Sequence, residues 1–115
     1  YQFRRKLPWM DAAGLGCFHA AELPYVFGNF PPLRGYAEQD ERLSAAVGGY
    51  WTRFARTGDP NGGDAPAWPK YAPAEDAYLI LDEKIEPGQN LRKDACDFWD
   101  GVVEEQRKAQ GEDDF

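Results

Sequence analysis

An α/β fold is predicted by two amphipathic helical patterns, Glu38 to Thr57 and the stretch carrying Leu91, Ala95, Phe98, Trp99 and Val102, together with the β-favouring run Ala77-Tyr78-Leu79-Ile80-Leu81. The elements follow in chain order. Tyr1 to Arg4 reads as the end of a strand, after which Pro8, Gly14 and Gly16 mark a loop. Ala20 to Phe27 is apolar and reads as a short helix or turn, closed by Gly28 and followed by the breakers Asn29, Pro31 and Pro32.

From Glu38 to Thr57, Leu43, Val47, Tyr50, Trp51 and Phe54 recur at helical spacing, so this face should be buried. Asp40 and Glu41 near the start and Arg53 and Arg56 near the end suit the helix dipole, and Gly58 is placed to close the helix in a left-handed cap. Gly48 and Gly49 each cost a helix interior about 1 kcal/mol relative to alanine, which points to another element approaching there. Lys84 to Glu86 is expected to pair back on the strand ending at Leu81. After Pro87-Gly88 the second helix should begin, capped by Asn90, and residues 111–115 should form an acidic tail.

The 115 residues are 43% apolar and 15% aromatic, enough for one packed domain. A net charge of −7 opposes binding to phosphate backbones and to anionic membrane surfaces, so neither nucleic acid nor membrane is an expected partner. No apolar run approaches the roughly 20 residues that cross a bilayer. The start, Tyr1-Gln2-Phe3-Arg4-Arg5-Lys6, lacks a methionine and a signal-peptide core and reads as the interior of a longer polypeptide. Cys17 and Cys96 with one histidine cannot supply a structural zinc site, so no metal and no cofactor is expected. The cysteines can pair with each other, Cys96 can pair with a cysteine outside this segment, or it can stay a buried thiol.

The only histidine, His19, lies between glycines in Gly16-Cys17-Phe18-His19-Ala20-Ala21-Glu22-Leu23-Pro24-Tyr25-Val26-Phe27-Gly28. An imidazole on such a turn is a candidate general base, but the only serine, Ser44, falls inside a helical pattern without the glycine punctuation of a nucleophile elbow. The base stands without its nucleophile. Cys17 is a poor substitute, because residues two apart rarely face each other in a productive dyad and cysteine commonly packs as a small hydrophobe.

The run from Gly16 to Gly28 resembles the histidine segment of the type-B carboxylesterase and cholinesterase family. Leu43-Ser44 leading to Tyr50-Trp51-Thr52-Arg53-Phe54-Ala55-Arg56-Thr57-Gly58-Asp59-Pro60-Asn61, then Trp68-Pro69-Lys70-Tyr71, then Cys96-Asp97-Phe98-Trp99, are similar to later landmarks of that family in the same order. The resemblance implies the carboxyl-terminal part of an α/β-hydrolase fold over residues 1–110. It also implies a serine esterase acting through an acyl-enzyme, with serine, triad acid and oxyanion hole in an upstream portion and His19 as the triad base.

The resemblance makes Glu22 a carboxylate that helps orient groups beside the site, and makes Phe18, Ala20 and Ala21 candidates to line the acyl or alcohol pocket. Ala20-Ala21 departs from the glycine and aromatic that cholinesterases present there, which favours a general carboxylesterase over quaternary-ammonium specificity. The aromatics Trp51, Phe54, Trp68, Tyr71, Phe98 and Trp99 are expected to pack in a core. The implied partners are a small-molecule ester and the amino-terminal part of the same hydrolase, and the segment alone should be inactive. The rival reading is a non-catalytic cholinesterase-like adhesion domain, distinguished by the absence of a serine elbow upstream.

Overall fold

The computed structural model describes residues 1–32 and 34–111. A short strand β1 (Gln2–Phe3) leads into helix α1 (Pro8–Ala12), helix α2 (Leu23–Phe27) and the long helix α3 (Glu38–Thr57). Strands β2 (Ala77–Leu81) and β3 (Glu86–Gln89) follow, and helix α4 (Lys93–Gln110) closes the described chain. The sheet has the order β1-β2-β3, with β1 parallel to β2 through Gln2↔Ile80 and Phe3↔Leu81, and β3 antiparallel to β2.

β-Branched and aliphatic residues make β2 the central strand, and its alternation aims Leu79 and Leu81 inward. They meet Leu43, Val47 and Tyr50 of α3 and Tyr25 of α2 in one buried cluster. The packing of α2 against α3 is the main helix contact, and Ser44 Oγ donates to the Tyr25 carbonyl across it at 2.7 Å. A Cβ on Gly48 would lie 3.8 Å from the Val26 carbonyl, so α2 is the element that approaches at this glycine, at ordinary contact distance. Gly49 has a different neighbour: a Cβ there would meet the guanidinium of Arg53, one turn along the same helix, at 2.9 Å. At the far end Gly58 takes φ 77° and donates to the Phe54 carbonyl, closing α3 as its sequence implies.

Four expectations need correction. Pro8 to Gly14 is not all loop: α1 forms because proline is tolerated at the first helical position and Met10 is drawn inward with Leu7. The pairing partner of β2 is Glu86 to Gln89, so Pro87 and Gly88 lie inside a strand. An edge strand tolerates both, and the Tyr78 ring lies across Gly88, where a Cβ would come within 2.6 Å of Tyr78 Cζ. Consequently α4 starts at Lys93, preceded by Arg92 at φ 53°, with Asn90 outside it. Only Gly111 of the expected acidic tail is described, and 112–115 lie outside the described residues.

The fourth correction concerns the aromatics. Phe54, Tyr71, Phe98 and Trp99 are 59%, 64%, 64% and 63% exposed, and no residue of α4 is buried. Trp51 and Trp68 do meet the expectation, since both are half-buried and pack against the core cluster. Helical spacing places Phe54 on the apolar stripe of α3, and Phe98 and Trp99 lie on α4, but spacing does not provide a surface to cover them. The radius of gyration, 18.1 Å, accordingly exceeds the roughly 13 Å of a compact chain this long.

Candidate functional site

The loop carrying His19 is built on two anchors. At its start, Arg4 N–H donates to the Leu81 carbonyl at 2.9 Å, ending the β1 pairing. Leu7, Met10 and Ala21 then form a small buried cluster, so α1 supports the turn from beneath. The Cys17 thiol donates to the Phe3 carbonyl at 3.2 Å and ties the loop back to β1. Partial burial, then the nearby carboxylates of Glu22 and Asp82, push this thiol up, away from the thiolate a cysteine nucleophile requires. Cys17 and Cys96 are both free and exposed, so they neither pair with each other nor pack as buried thiols.

His19 occupies the first central position of a tight turn: Ala21 N–H donates to the Phe18 carbonyl at 3.1 Å, and Ala20 takes φ 67°. This is the type II pattern, whose second central position requires a left-handed backbone. The next turn follows at once, from Leu23 N–H to the Ala20 carbonyl at 3.2 Å, and leads directly into α2. His19 is exposed, whereas Ala21 is 4% exposed. The turn therefore leaves His19 open to solvent while its last residue, Ala21, is seated in the core. A left-handed alanine is strained by roughly 1–2 kcal/mol. Ala20→Gly should raise the thermal unfolding midpoint, with a net gain on the order of 1 kcal/mol; an unchanged or lowered midpoint would show that the turn is unstrained.

The residues singled out in the sequence separate here. Phe18 is 40% exposed, and its ring centroid lies 6.2 Å from that of Trp9, whose other neighbour is the Arg34 guanidinium at 5.0 Å. Ala20 is half-buried, and Ala21 packs under the turn on Leu7 and Met10. Glu22 is half-buried at the start of α2, where its carbonyl accepts from Tyr25 and Val26 N–H groups. An aromatic cleft of about 750 Å³, lined by Tyr50, Trp51, Phe54, Trp68 and Tyr71 among others, lies on the α3 side and does not include His19.

Sequence reasoning missed the polar centre beneath the loop. Asp40, fully buried on the first turn of α3, accepts from Arg5 Nε at 2.6 Å and Nη2 at 3.2 Å, from the Tyr25 hydroxyl at 2.8 Å and from Ala37 N–H at 2.9 Å. Burial alone would raise this carboxyl, but the Arg5 fork, the Ala37 amide and the Tyr25 hydroxyl outweigh it and hold it below its ordinary value. Burial first, and the bond to Asp40 second, push the Tyr25 hydroxyl up. Asp40 had the signature of a helix-dipole charge, and Tyr25 that of one apolar residue among several. The partner at Arg5 lies 35 residues from Asp40, and no local signal reveals it.

Comparison with known proteins adds a second line. Residues 1–99 match the Carboxylesterase family model. Carboxylesterase 5A of Canis lupus familiaris is 41% identical over 91 residues, which covers 74% of this chain and 16% of that protein. Acetylcholinesterase of Gallus gallus is 40% identical over 88 residues, covering 74% of this chain and 12% of that protein. Bile salt-activated lipase of Bos taurus is 41% identical over 92 residues, with 74% and 15% covered. Among solved structures, PNB esterase is similar with a TM-score of 0.64 at 32% identity, over 72% of this chain and 17% of that one. The chain thus spans less than a fifth of the length of these relatives.

Proposed function

From the premise that this chain belongs to the carboxylesterase family and has an α/β architecture consistent with the carboxyl-terminal part of an α/β-hydrolase, we infer that it supplies the catalytic base of a serine carboxylesterase. The observation that carries this reading is an exposed His19 on a hydrogen-bonded turn anchored to the core through Ala21. In the complete hydrolase His19 takes the proton of an upstream serine during acylation, passes it to the leaving alcohol, and activates water for deacylation. Phe18 and Ala20 lie beside it on the ester-binding surface, Ala21 shapes that surface from below, and Glu22 orients polar groups nearby.

The uncovered aromatics support the second half of the reading. Phe54, Tyr71, Phe98 and Trp99 leave apolar faces for the upstream portion of the hydrolase to cover, and without the serine of that portion the segment alone is inactive. Serine-directed labelling tests the whole. An alkyl fluorophosphonate should modify a serine of the complete protein rapidly, and His19→Ala should abolish the labelling. No labelling of the parent would favour a non-catalytic adhesion domain, and undiminished labelling of the variant would remove His19 from the base role.

A further inference from the structure

We propose that Asp40 is a positioning residue for the His19 imidazole, acting as one carboxylate that fastens both ends of the loop to α3. The inference rests on the assignment of His19 as base. Arg5 stands where the chain leaves β1 and enters the loop, and Tyr25 stands on α2 where the loop ends. Both donate to Asp40, Arg5 through two nitrogens and Tyr25 through its hydroxyl. The two feet of the loop are therefore held at a fixed separation by a group on a third element.

The link from the clamp to the imidazole is short and stiff. Between Tyr25 and His19 the backbone runs through consecutive hydrogen-bonded turns, Tyr25 N–H to Glu22, Leu23 N–H to Ala20 and Ala21 N–H to Phe18 carbonyls. A rotation or slide of α2 on α3 is carried directly to His19. The Ser44 hydroxyl holds the Tyr25 carbonyl from the same face of α3, so α2 is fixed at backbone and side chain of one residue. Asp40 itself is fixed by the Ala37 amide, which it accepts as a helix-start residue reaching back to the cap. A fully buried carboxylate with three partners of different origin is more than helix capping needs. Proton transfer demands placement within a fraction of an ångström, and misplacement by about 1 Å can lower a rate roughly a hundredfold.

The test uses the complete esterase with Tyr25→Phe, Asp40→Asn, His19→Ala and, as a control, Leu79→Val, which loosens the buried cluster that also holds Tyr25 but removes none of the hydrogen bonds to Asp40. Tyr25→Phe keeps the ring that packs on Phe3, Phe30 and Tyr36 and removes only the hydroxyl, so it decides the matter even where Asp40→Asn fails to fold. Tyr25→Phe should lower kcat roughly tenfold and Asp40→Asn about a hundredfold, with KM within about twofold and the fluorophosphonate labelling rate falling in parallel. Leu79→Val should lower the melting temperature and leave kcat unchanged. If His19→Ala is inactive while Tyr25→Phe keeps the parent kcat, the clamp is overturned and the base assignment stands. Equal kcat losses in Leu79→Val and Tyr25→Phe would also overturn the clamp, because they would show that loss of stability alone explains the effect. Parent-like turnover by His19→Ala would overturn both.

Discussion

Replacing His19 with alanine in the complete esterase should lower turnover of an uncharged ester by up to about a millionfold, the loss found when a triad member is deleted. Serine at its ordinary acidity is a weak nucleophile, and acylation needs a base within hydrogen-bond reach to take its proton as the bond to carbon forms. This chain contains one histidine, and it is exposed on a turn. No second imidazole is available here to substitute. The loss should appear in kcat, with KM nearly unchanged, because the imidazole acts on the transition state and contributes little to ground-state binding. Steady-state hydrolysis of a p-nitrophenyl ester measures both parameters. Turnover within about tenfold of the parent would refute the base assignment.

The second large effect is on stability. Asp40→Ala should cost about 3–5 kcal/mol, the usual result of removing one partner from a buried ion pair. The Arg5 side chain is only 12% exposed, so its guanidinium would lose its buried counter-charge and keep only the exposed Glu83 carboxylate at 3.7 Å. The Tyr25 hydroxyl and Ala37 amide would lose their acceptor at the same time. The effect should depend on pH in a defined direction. Asp40 is held below its ordinary value of 3.8, so its stabilisation is fully present above that pH and is lost as pH falls through the lower folded value. Denaturant titration of parent and variant should show a gap that is wide at neutral pH and narrows below pH 3.8. A gap that stays constant on acidification would mean that the charge contributes nothing.

These two residues were not equally legible in the sequence. The segment around His19 resembles one family's histidine region from Gly16 to Gly28, and the landmarks that follow it keep that family's order. Asp40 offered only an acidic charge at a helix start, a common feature whose local explanation is sufficient on its own. Its role depends on a fold in which β1 lies parallel to β2 and so delivers Arg5 to the start of α3, and parallel pairing leaves no short-range mark. Glu22 shows the opposite relation: the resemblance gives it a role, while within the described residues its hydrogen bonds are the backbone bonds that begin α2.

What the sequence by itself determined is whatever depends on neighbours along the chain. The span Glu38 to Thr57, the strand Ala77 to Leu81, and the left-handed glycines at 28 and 58 follow from periodicity, β propensity and the absence of a Cβ. The tertiary structure alone decided which faces are covered. Leu43, Val47 and Tyr50 are buried, while Phe54 on the same stripe and Phe98 and Trp99 on α4 stay exposed. It also decided that Pro87 and Gly88 extend an edge strand and that one carboxylate joins Arg5, Tyr25 and α3. Hydrophobic spacing states that a face is apolar, but burial is a property of two surfaces, and the second surface lies at a distance in sequence that local patterns do not encode.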